Sequence, residues 1–166
     1  MKIVKAEPND LVEVLFLLQI CVEDLNQKGF KHWNSAYPGS EAMVKAIESG
    51  SLYIYKENEV SKGMIILSDE QPDEYNGIPW KANNSKVIYL KFLAVHPLWQ
   101  NTGIAKKLVV FSEQQAREQG YSAIRVDIYS GLPSASHMFT DNGFTMAGQF
   151  HSTFQTSPYH AYEKSL

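Results

Sequence analysis

Strands and helices alternating around one uninterrupted apolar strand predict an α/β chain, with a mixed sheet covered by helices on both faces. Three observations carry that prediction. The chain has 166 residues, 44% of them hydrophobic, which is enough for one domain with a substantial core. Its hydrophobic periodicity switches repeatedly between two and 3.6 residues, giving the element order βααβββαβαββ. At its centre, residues 87–95 are almost all β-branched, aromatic or leucine, as in a sheet interior, and a turn of small residues follows and opens a helix.

Residues 2–5 form a short strand. Pro8 falls at a helix start, and Leu11, Val14, Leu15, Leu18, Val22 and Leu25 make an amphipathic stripe behind it. Phe16 and Ile20 lie off the stripe, so this helix is expected to bury more than one face. Residues 28–39 are a loop rich in aromatics and turn formers. Ser40 is the expected N-cap of a helix ending near Glu48. Residues 52–56 and 60–67 are strands joined by Glu57-Asn58-Glu59, a hairpin signal. Residues 68–85 are polar and turn-rich, with Pro72, Gly77 and Pro79, and a loop of that length in a compact domain is usually functional or mobile.

The apolar strand ends at Pro97, which lacks the donor a ladder needs. Ile104, Ala105, Leu108, Val109, Phe111 and Ala116 then recur at helical spacing, up to Gly120 at a helix C-terminus. Residues 123–129 alternate Ile124, Val126 and Ile128 against Arg125 and Asp127. A helix over 133–142 ends at Gly143, and closing strands are expected over 144–152 and 159–164. No internal repeat or low-complexity tract is present, and residues 1–166 read as a single domain.

Composition excludes several classes. A net charge of −3 argues against a nucleic-acid footprint. No apolar run approaches the roughly 18 residues of a membrane span. The N-terminus reads as a strand and helix start and not as a signal peptide, and Cys21 has no internal disulfide partner, so a cytoplasmic protein is expected. The five histidines and one cysteine lack metal-ligand spacing, so no metal is expected. The turn after Pro97 has no Lys-Ser/Thr following its glycine, no triple glycine, and no Gly-x-Ser-x-Gly elbow occurs.

What the turn does offer is several backbone N–H groups and a helix dipole facing an anion. Gln100-x-x-Gly103-x-Ala105, placed after a Val-x-Pro strand end, resembles the acyl-CoA pyrophosphate loop of the GNAT superfamily of N-acetyltransferases, whose usual form is Gln/Arg-x-x-Gly-x-Gly/Ala. Ala135-Ser136-His137-Met138-Phe139-Thr140-Asp141-Asn142-Gly143-Phe144 is similar to the family's closing Ala-x-x-x-Tyr-x-x-x-Gly-Phe, and residues 158–164 resemble its last strand. The element order matches over essentially the whole chain.

That resemblance implies the GNAT acyltransferase fold, with a central mixed, mostly antiparallel, twisted sheet. It implies acetyl-CoA as cosubstrate, with no metal. The backbone of Leu93, Ala94 and Val95 would hold the acetyl carbonyl and pantetheine amides, Leu93 closest to the chemistry. Gln100, Asn101, Thr102, Gly103, Ile104 and Ala105 would hold the pyrophosphate, with Lys106 and Lys107 adding charge. Read without the resemblance, residues 93–95 are plain strand and Thr102 is a helix cap. Leu132, Ser136 and Phe139 complete the cofactor set. Leu132 stands where an asparagine is usual. Phe139 stands at the position of the family's frequent tyrosine acid, and a phenyl ring donates no proton; loss of an acid group costs about 10²–10⁴ in rate where protonation limits. A CoA thiol with a pKa of roughly 8.5 is a tolerable leaving group without help.

Tyr89 and Lys91 occupy the positions where relatives often carry a base, and neither is one at neutral pH with an ordinary pKa near ~10. Glu23, Asp24, Asp69 and Glu70 are alternative carboxylates. The acceptor pocket is expected from residues 32–37, above all Trp33 and Tyr37, together with Tyr89 and the turn near Phe154 and Tyr159; its aromatics equally suit a cover for the core. The expected reaction is direct attack by a primary amine, of a small molecule or a protein, in a ternary complex. The alternative is a weak or inactive acyl-CoA-binding or sensor module. The expected partners include neither nucleic acid nor membrane, and family members often pair through their C-terminal strands, so a homodimer is an option.

Overall fold

The computed structural model describes residues 1–82, 86–153 and 155–166. Its elements are β1 (Lys2–Lys5), α1 (Leu11–Gln27), α2 (Gly39–Glu48), β2 (Leu52–Glu57), β3 (Val60–Ser68), β4 (Val87–Val95), α3 (Ile104–Glu118), β5 (Ala123–Tyr129), α4 (Pro133–Asp141), β6 (Thr145–Phe150) and β7 (Tyr159–Ser165), in the predicted order. The strands lie in the order β1-β2-β3-β4-β5-β7-β6. The β4·β5 pairing is parallel, whereas β1·β2, β2·β3, β5·β7 and β6·β7 are antiparallel. The result is a mixed, mostly antiparallel sheet flanked by helices. The chain forms two compact units, Met1–Leu67 with Phe92–Phe111 and Ser68–Lys91 with Ser112–Leu166, so β4 and α3 each run through both.

In the first unit, Asn58 and Glu59 adopt φ of 52° and 60°, the two left-handed residues that a two-residue hairpin requires. The Lys56 ammonium lies 2.7 Å from Asp10 and 3.2 Å from Glu13, and Glu13 also accepts the Ser61 N–H at 2.7 Å, so the start of α1 is fastened to β2 and β3. A 3-10 turn, Pro8–Asp10, precedes α1. The buried face of α1 is Val14, Leu17, Leu18 and Cys21, against Met43, Ala46 and Ile47 of α2 and Leu52, Ile54, Met64, Ile66 and Ala94 of the sheet. Leu17 was missing from the predicted stripe, and Leu11, Leu15 and Val22 are only partly buried at its margin. Phe16 is 60% exposed, so the expectation of a second buried face fails there. Ser40 is not the cap of α2. The helix begins one residue earlier, at Gly39 with φ of +75°, and Pro38 holds the cap position without a side-chain bond.

Gly63 of β3 permits the close approach of α3. A Cβ there would stand 2.9 Å from Ile104 Cγ2 and 3.2 Å from the Ala94 carbonyl oxygen.

In the second unit, β4 pairs with β5 only from Val87↔Ala123 to Leu90↔Val126, while β5 pairs with β7 over all seven of its residues. The alternation expected in β5 is present, but its polar face is covered. Arg125 and Glu163 are 5% and 4% exposed, and their ion pair is 2.8 Å. The cover is the segment after β3, which is more than a polar loop. It contains a 3-10 turn, Asp73–Tyr75, and buries Tyr75 and Trp80. Glu163 accepts the N–H groups of Lys81 and Ala82 at 3.0 and 3.2 Å. Arg125 donates to the Ala82 carbonyl at 2.9 Å and lies 4.4 Å over the Trp80 ring. Asn83, Asn84 and Ser85, the end of the predicted loop, lie outside the described residues. Gly120 and Gly143 close α3 and α4 at φ of 75° and 85°, as expected.

Among the described residues no helix is long and apolar enough to cross a membrane.

Glu163→Gln would leave the Arg125 guanidinium buried without its counter-charge. The expected loss is about 3–5 kcal/mol, read from the urea unfolding midpoint. Gly63→Ala is expected to cost about 1–3 kcal/mol by the same measurement, because neither the Ala94 carbonyl nor the β-branched Ile104 can yield.

Candidate active site

The end of β4 departs from regular strand geometry at Phe92, where φ is +52°. A left-handed conformation costs a residue with a Cβ roughly 1–2 kcal/mol. Ring contacts hold it there: Trp33 meets Phe92 edge-on at 6.0 Å and Tyr37 does so at 5.5 Å. The two aromatics expected to line an acceptor pocket therefore flank the irregular residue of β4. Trp33 packs on the core of the first unit, and Tyr37 is half exposed.

Past Phe92 the backbone has two sides. The His96 N–H donates to the Lys62 carbonyl of β3 at 2.9 Å. Adjacent residues of an extended chain turn their polar groups oppositely, so Val95 faces away from β3, and Leu93 with it. The Val95 carbonyl accordingly accepts from Gln100 Nε2 at 3.1 Å and from the Cys21 thiol at 3.4 Å.

The turn itself is a succession of reversals. His96 Nδ1 accepts the Leu98 N–H at 3.2 Å, a 3-10 turn covers Pro97–Trp99, and Asn101 and Gly103 both take positive φ, 60° and 85°. Such alternation turns successive N–H groups into one concavity. The first bond of α3 runs from the Lys107 N–H to the Gly103 carbonyl at 3.0 Å. Among the described residues, the N–H groups of residues 101–106 have no protein acceptor, and they sit at the positive end of a helix. Thr102 is not the cap. Its hydroxyl donates back to the Trp99 carbonyl at 2.5 Å, and Gly103 occupies the position before Ile104. Lys106 is exposed, whereas Lys107 turns onto the Tyr55 ring, 5.6 Å from its centre.

Gln100 holds this turn in place. Besides its bond to Val95, its Nε2 lies 3.4 Å from Asp24, its Oε1 accepts from Lys28 at 3.4 Å, and Lys28 pairs with Asp24 at 2.7 Å. The side chain of the motif glutamine thus tethers the loop to the end of α1, and the Asp24 carboxylate is already engaged. Burial pushes the Cys21 thiol up to about 12 and the His32 imidazole down to about 4.

The remaining predicted residues belong to the second unit. The buried Tyr89 donates its hydroxyl to Gln71 Oε1 at 3.1 Å, and Lys91 Nζ lies 3.4 Å from Ser68 Oγ, so the two are not hydrogen-bonded to each other. Leu132 precedes α4 without a side-chain cap, and its carbonyl accepts the N–H groups of Ala135 and Ser136 at 3.2 and 3.5 Å. Phe139 is buried and meets Phe144 edge-on at 5.1 Å. His137 is exposed, Tyr159 stacks on Phe150, and Phe154 lies outside the described residues.

Two residues escaped the sequence reading. Phe92 carries no signal of its irregular backbone. Asp127 was visible as a carboxylate within an apolar strand; its carboxylate accepts the Tyr75 hydroxyl at 2.8 Å, and burial pushes it up to about 6. Among the described residues no three His, Cys, Asp or Glu side chains are placed to hold a metal ion.

The acetyltransferase (GNAT) domain family matches residues 21–166, and the chain belongs to it. No curated protein matches the chain. Among solved structures, a GNAT-family acetyltransferase from Streptococcus agalactiae 2603 superposes with a TM-score of 0.84 at 16% identity, covering 99% of this chain and 95% of that one. A second, from Listeria monocytogenes 4b F2365, gives 0.79 at 19% identity, with 99% and 94% covered. The ribosomal-protein-alanine N-acetyltransferase from Brucella melitensis gives 0.74 at 17% identity over 100% of both chains. At these identities the likeness is one of fold.

The depressed His32 pKa fixes the sign of one pH effect. The unfolded imidazole binds a proton near pH 6.5 and the folded one only near 4, so this contribution is complete above 6.5 and is lost as pH falls through that window. His32→Gln is expected to flatten the fall in urea midpoint between those pH values relative to the parent chain.

Proposed function

We propose that this chain is an acetyl-CoA-dependent N-acetyltransferase in which a neutral primary amine attacks the thioester directly. The observation that carries the reading is the run of N–H groups over residues 101–106, shaped by left-handed Asn101 and Gly103 and placed directly after Leu93, Ala94 and Val95. Diphosphate oxygens complement such donors. In this reading the backbone of residues 93–95 holds the pantetheine amides and the acetyl carbonyl. Donors aimed at an oxygen that gains charge lower the barrier to acyl transfer. Acetyl-CoA supplies the activated acetyl group, and the chain supplies binding, orientation and the handling of protons.

One observation supports direct attack over an acyl-enzyme. The single cysteine is buried, donates to Val95, and has its thiol pushed up to about 12, far from a nucleophile's range. With Phe139 at the acid position, the sulfur departs as a thiolate. We place the reaction in the cytoplasm, on the strength of a lone cysteine kept as a thiol. The Brucella neighbour's name adds a protein α-amino group to the acceptors worth testing, beside small amines.

A second reading, an acyl-CoA-binding module with little turnover, is favoured by Phe139, which is buried against Phe144 and offers packing alone. Two measurements separate the readings. Acetyl-CoA at about 100 times its Kd is expected to raise stability by about 2.7 kcal/mol, seen as a rise in Tm, and thiol release is expected with at least one primary amine. Stabilisation without any release selects the binding module, and neither response removes both. Gly103→Val, forced to a φ of +85° in the bound loop, is expected to weaken acetyl-CoA binding about 5- to 30-fold, in step with the roughly 1–2 kcal/mol strain, with the Tm of the unliganded chain falling only slightly.

A further inference from the structure

Asp24 is a carboxylate where a site for diphosphate oxygens gains nothing from one. Its side chain, 18% exposed in the last turn of α1, lies 3.4 Å from Gln100, the residue that opens the run of N–H groups over residues 101–106. Like charges repel, so as a charge alone Asp24 works against an anion bound there. As a hydrogen-bond acceptor it has a defined place.

Cys21, Asp24 and Lys28 follow one another at spacings of three and four, the spacing of one helix face. Each of them touches the end of β4 or the loop behind it. Cys21 Sγ donates to the Val95 carbonyl, Asp24 accepts from Gln100 Nε2, and Lys28 Nζ donates to Gln100 Oε1, each at 3.4 Å. All of these residues belong to the first compact unit. Their support is itself hydrogen-bonded. The Lys28 N–H closes on the Asp24 carbonyl at 3.1 Å and the Phe30 N–H on the Leu25 carbonyl at 2.9 Å. Asn26 Nδ2 donates onward to the Phe30 and Trp33 carbonyls at 3.0 and 2.8 Å. A side chain mounted on such a turn can hold another in a fixed direction.

A primary amide has two unlike ends, two N–H donors on one and a carbonyl acceptor on the other. Both donors of Gln100 are engaged, one by the Val95 carbonyl at 3.1 Å and one by Asp24, and its oxygen accepts from Lys28. Turned over, the amide would set its oxygen against the Val95 carbonyl and the Asp24 carboxylate, and its NH₂ against an ammonium. The Asp24–Lys28 pair, 2.7 Å apart, therefore answers the amide end for end. Lys28 is 50% exposed, so the better buried Asp24 is the member that holds the direction. Without its acceptor, Gln100 loses the partner that keeps its NH₂ turned toward Val95.

We propose that Asp24 is a positioning residue of the cofactor site: it fixes the direction of the Gln100 amide and, through Gln100, the placement of the N–H groups over residues 101–106 that take the acetyl-CoA diphosphate. This rests on the acetyltransferase reading and gives Asp24 a role other than that of a base. The carboxylate acts through Gln100 and not on the ligand, and Lys28 holds the carboxylate in turn. Charge and hydrogen bonding then pull cofactor affinity in opposite directions at this one position, which makes the two separable.

The test compares Asp24→Asn with Asp24→Leu. Both remove the same charge, and only asparagine keeps an oxygen for Gln100 Nε2. Were charge alone at work, both would bind CoA more tightly than the parent protein, and equally. Calorimetric titration with CoA is expected to give a Kd about 3- to 10-fold higher for Asp24→Leu than for Asp24→Asn, the range of one hydrogen bond. In a Gln100→Ala background the two substitutions are expected to agree within about twofold, because the residue through which Asp24 acts is gone. With a primary amine as acceptor, the loss is expected to fall on KM for acetyl-CoA more than on kcat. A general weakening of the fold would instead lower Tm and persist in both backgrounds. Equal Kd values for Asp24→Asn and Asp24→Leu, or a difference undiminished in Gln100→Ala, overturn the assignment, and CoA binding by the parent then leaves the acetyltransferase reading standing. The expected difference without acetyl transfer to any amine supports the assignment and removes only turnover. No CoA binding by the parent overturns both.

Discussion

An extended strand repeats its hydrogen-bonding pattern until something changes its dihedrals, and in this chain the change is the left-handed backbone of Phe92. Without it β4 would continue as a regular ladder. With it, pairing to β5 is complete at Leu90, and Leu93 and Val95 present polar groups away from β3. The conformation is unfavourable for phenylalanine by roughly 1–2 kcal/mol, and edge-on aromatic contacts of about 0.5–1.5 kcal/mol each offset it. Trp33 and Tyr37 supply those contacts from a loop far away in sequence. The residues expected at the acceptor side therefore help to maintain the strand geometry on which the proposed cofactor site rests.

Gln100 extends the same constraint into the turn. A glutamine side chain that bonds the Val95 carbonyl and reaches Asp24 and Lys28 joins the strand end, the loop and the C-terminal part of α1. Asn101 and Gly103 can then hold positive φ with their N–H groups outward. The motif is a mechanical unit in which one side chain braces the backbone and the backbone makes the concavity.

Most of the fold was legible in the sequence. Element order, the Gly120 and Gly143 stops and the hairpin at Asn58-Glu59 follow from local rules, and local rules act within a turn or two of chain. What escaped depends on tertiary partners. Phe16 looks like a core residue by type but meets no second layer, and Ser40 looks like a cap but follows a helix already started by Gly39. Arg125 and Glu163 are charged residues at strand positions whose burial depends on a partner 38 positions away and on the cover provided by Trp80. The candidate cofactor loop stood out because it is contiguous. The polar face of β5 did not, because the partners of Asp127 and Arg125 come from two stretches distant in sequence, the segment after β3 and β7.

Cys21 gives the chain an internal reporter. Folded, its thiol is buried, donates to the carbonyl at the end of β4, and remains protonated up to about pH 12, so electrophilic thiol dyes meet no thiolate. Labelling then requires that α1 part from the strand end, and its rate measures the free energy of that opening. Any ligand that grips the backbone on either side of Val95 must slow the labelling. A single native cysteine thus serves as a clock for occupancy of the loop, and no engineered probe is needed.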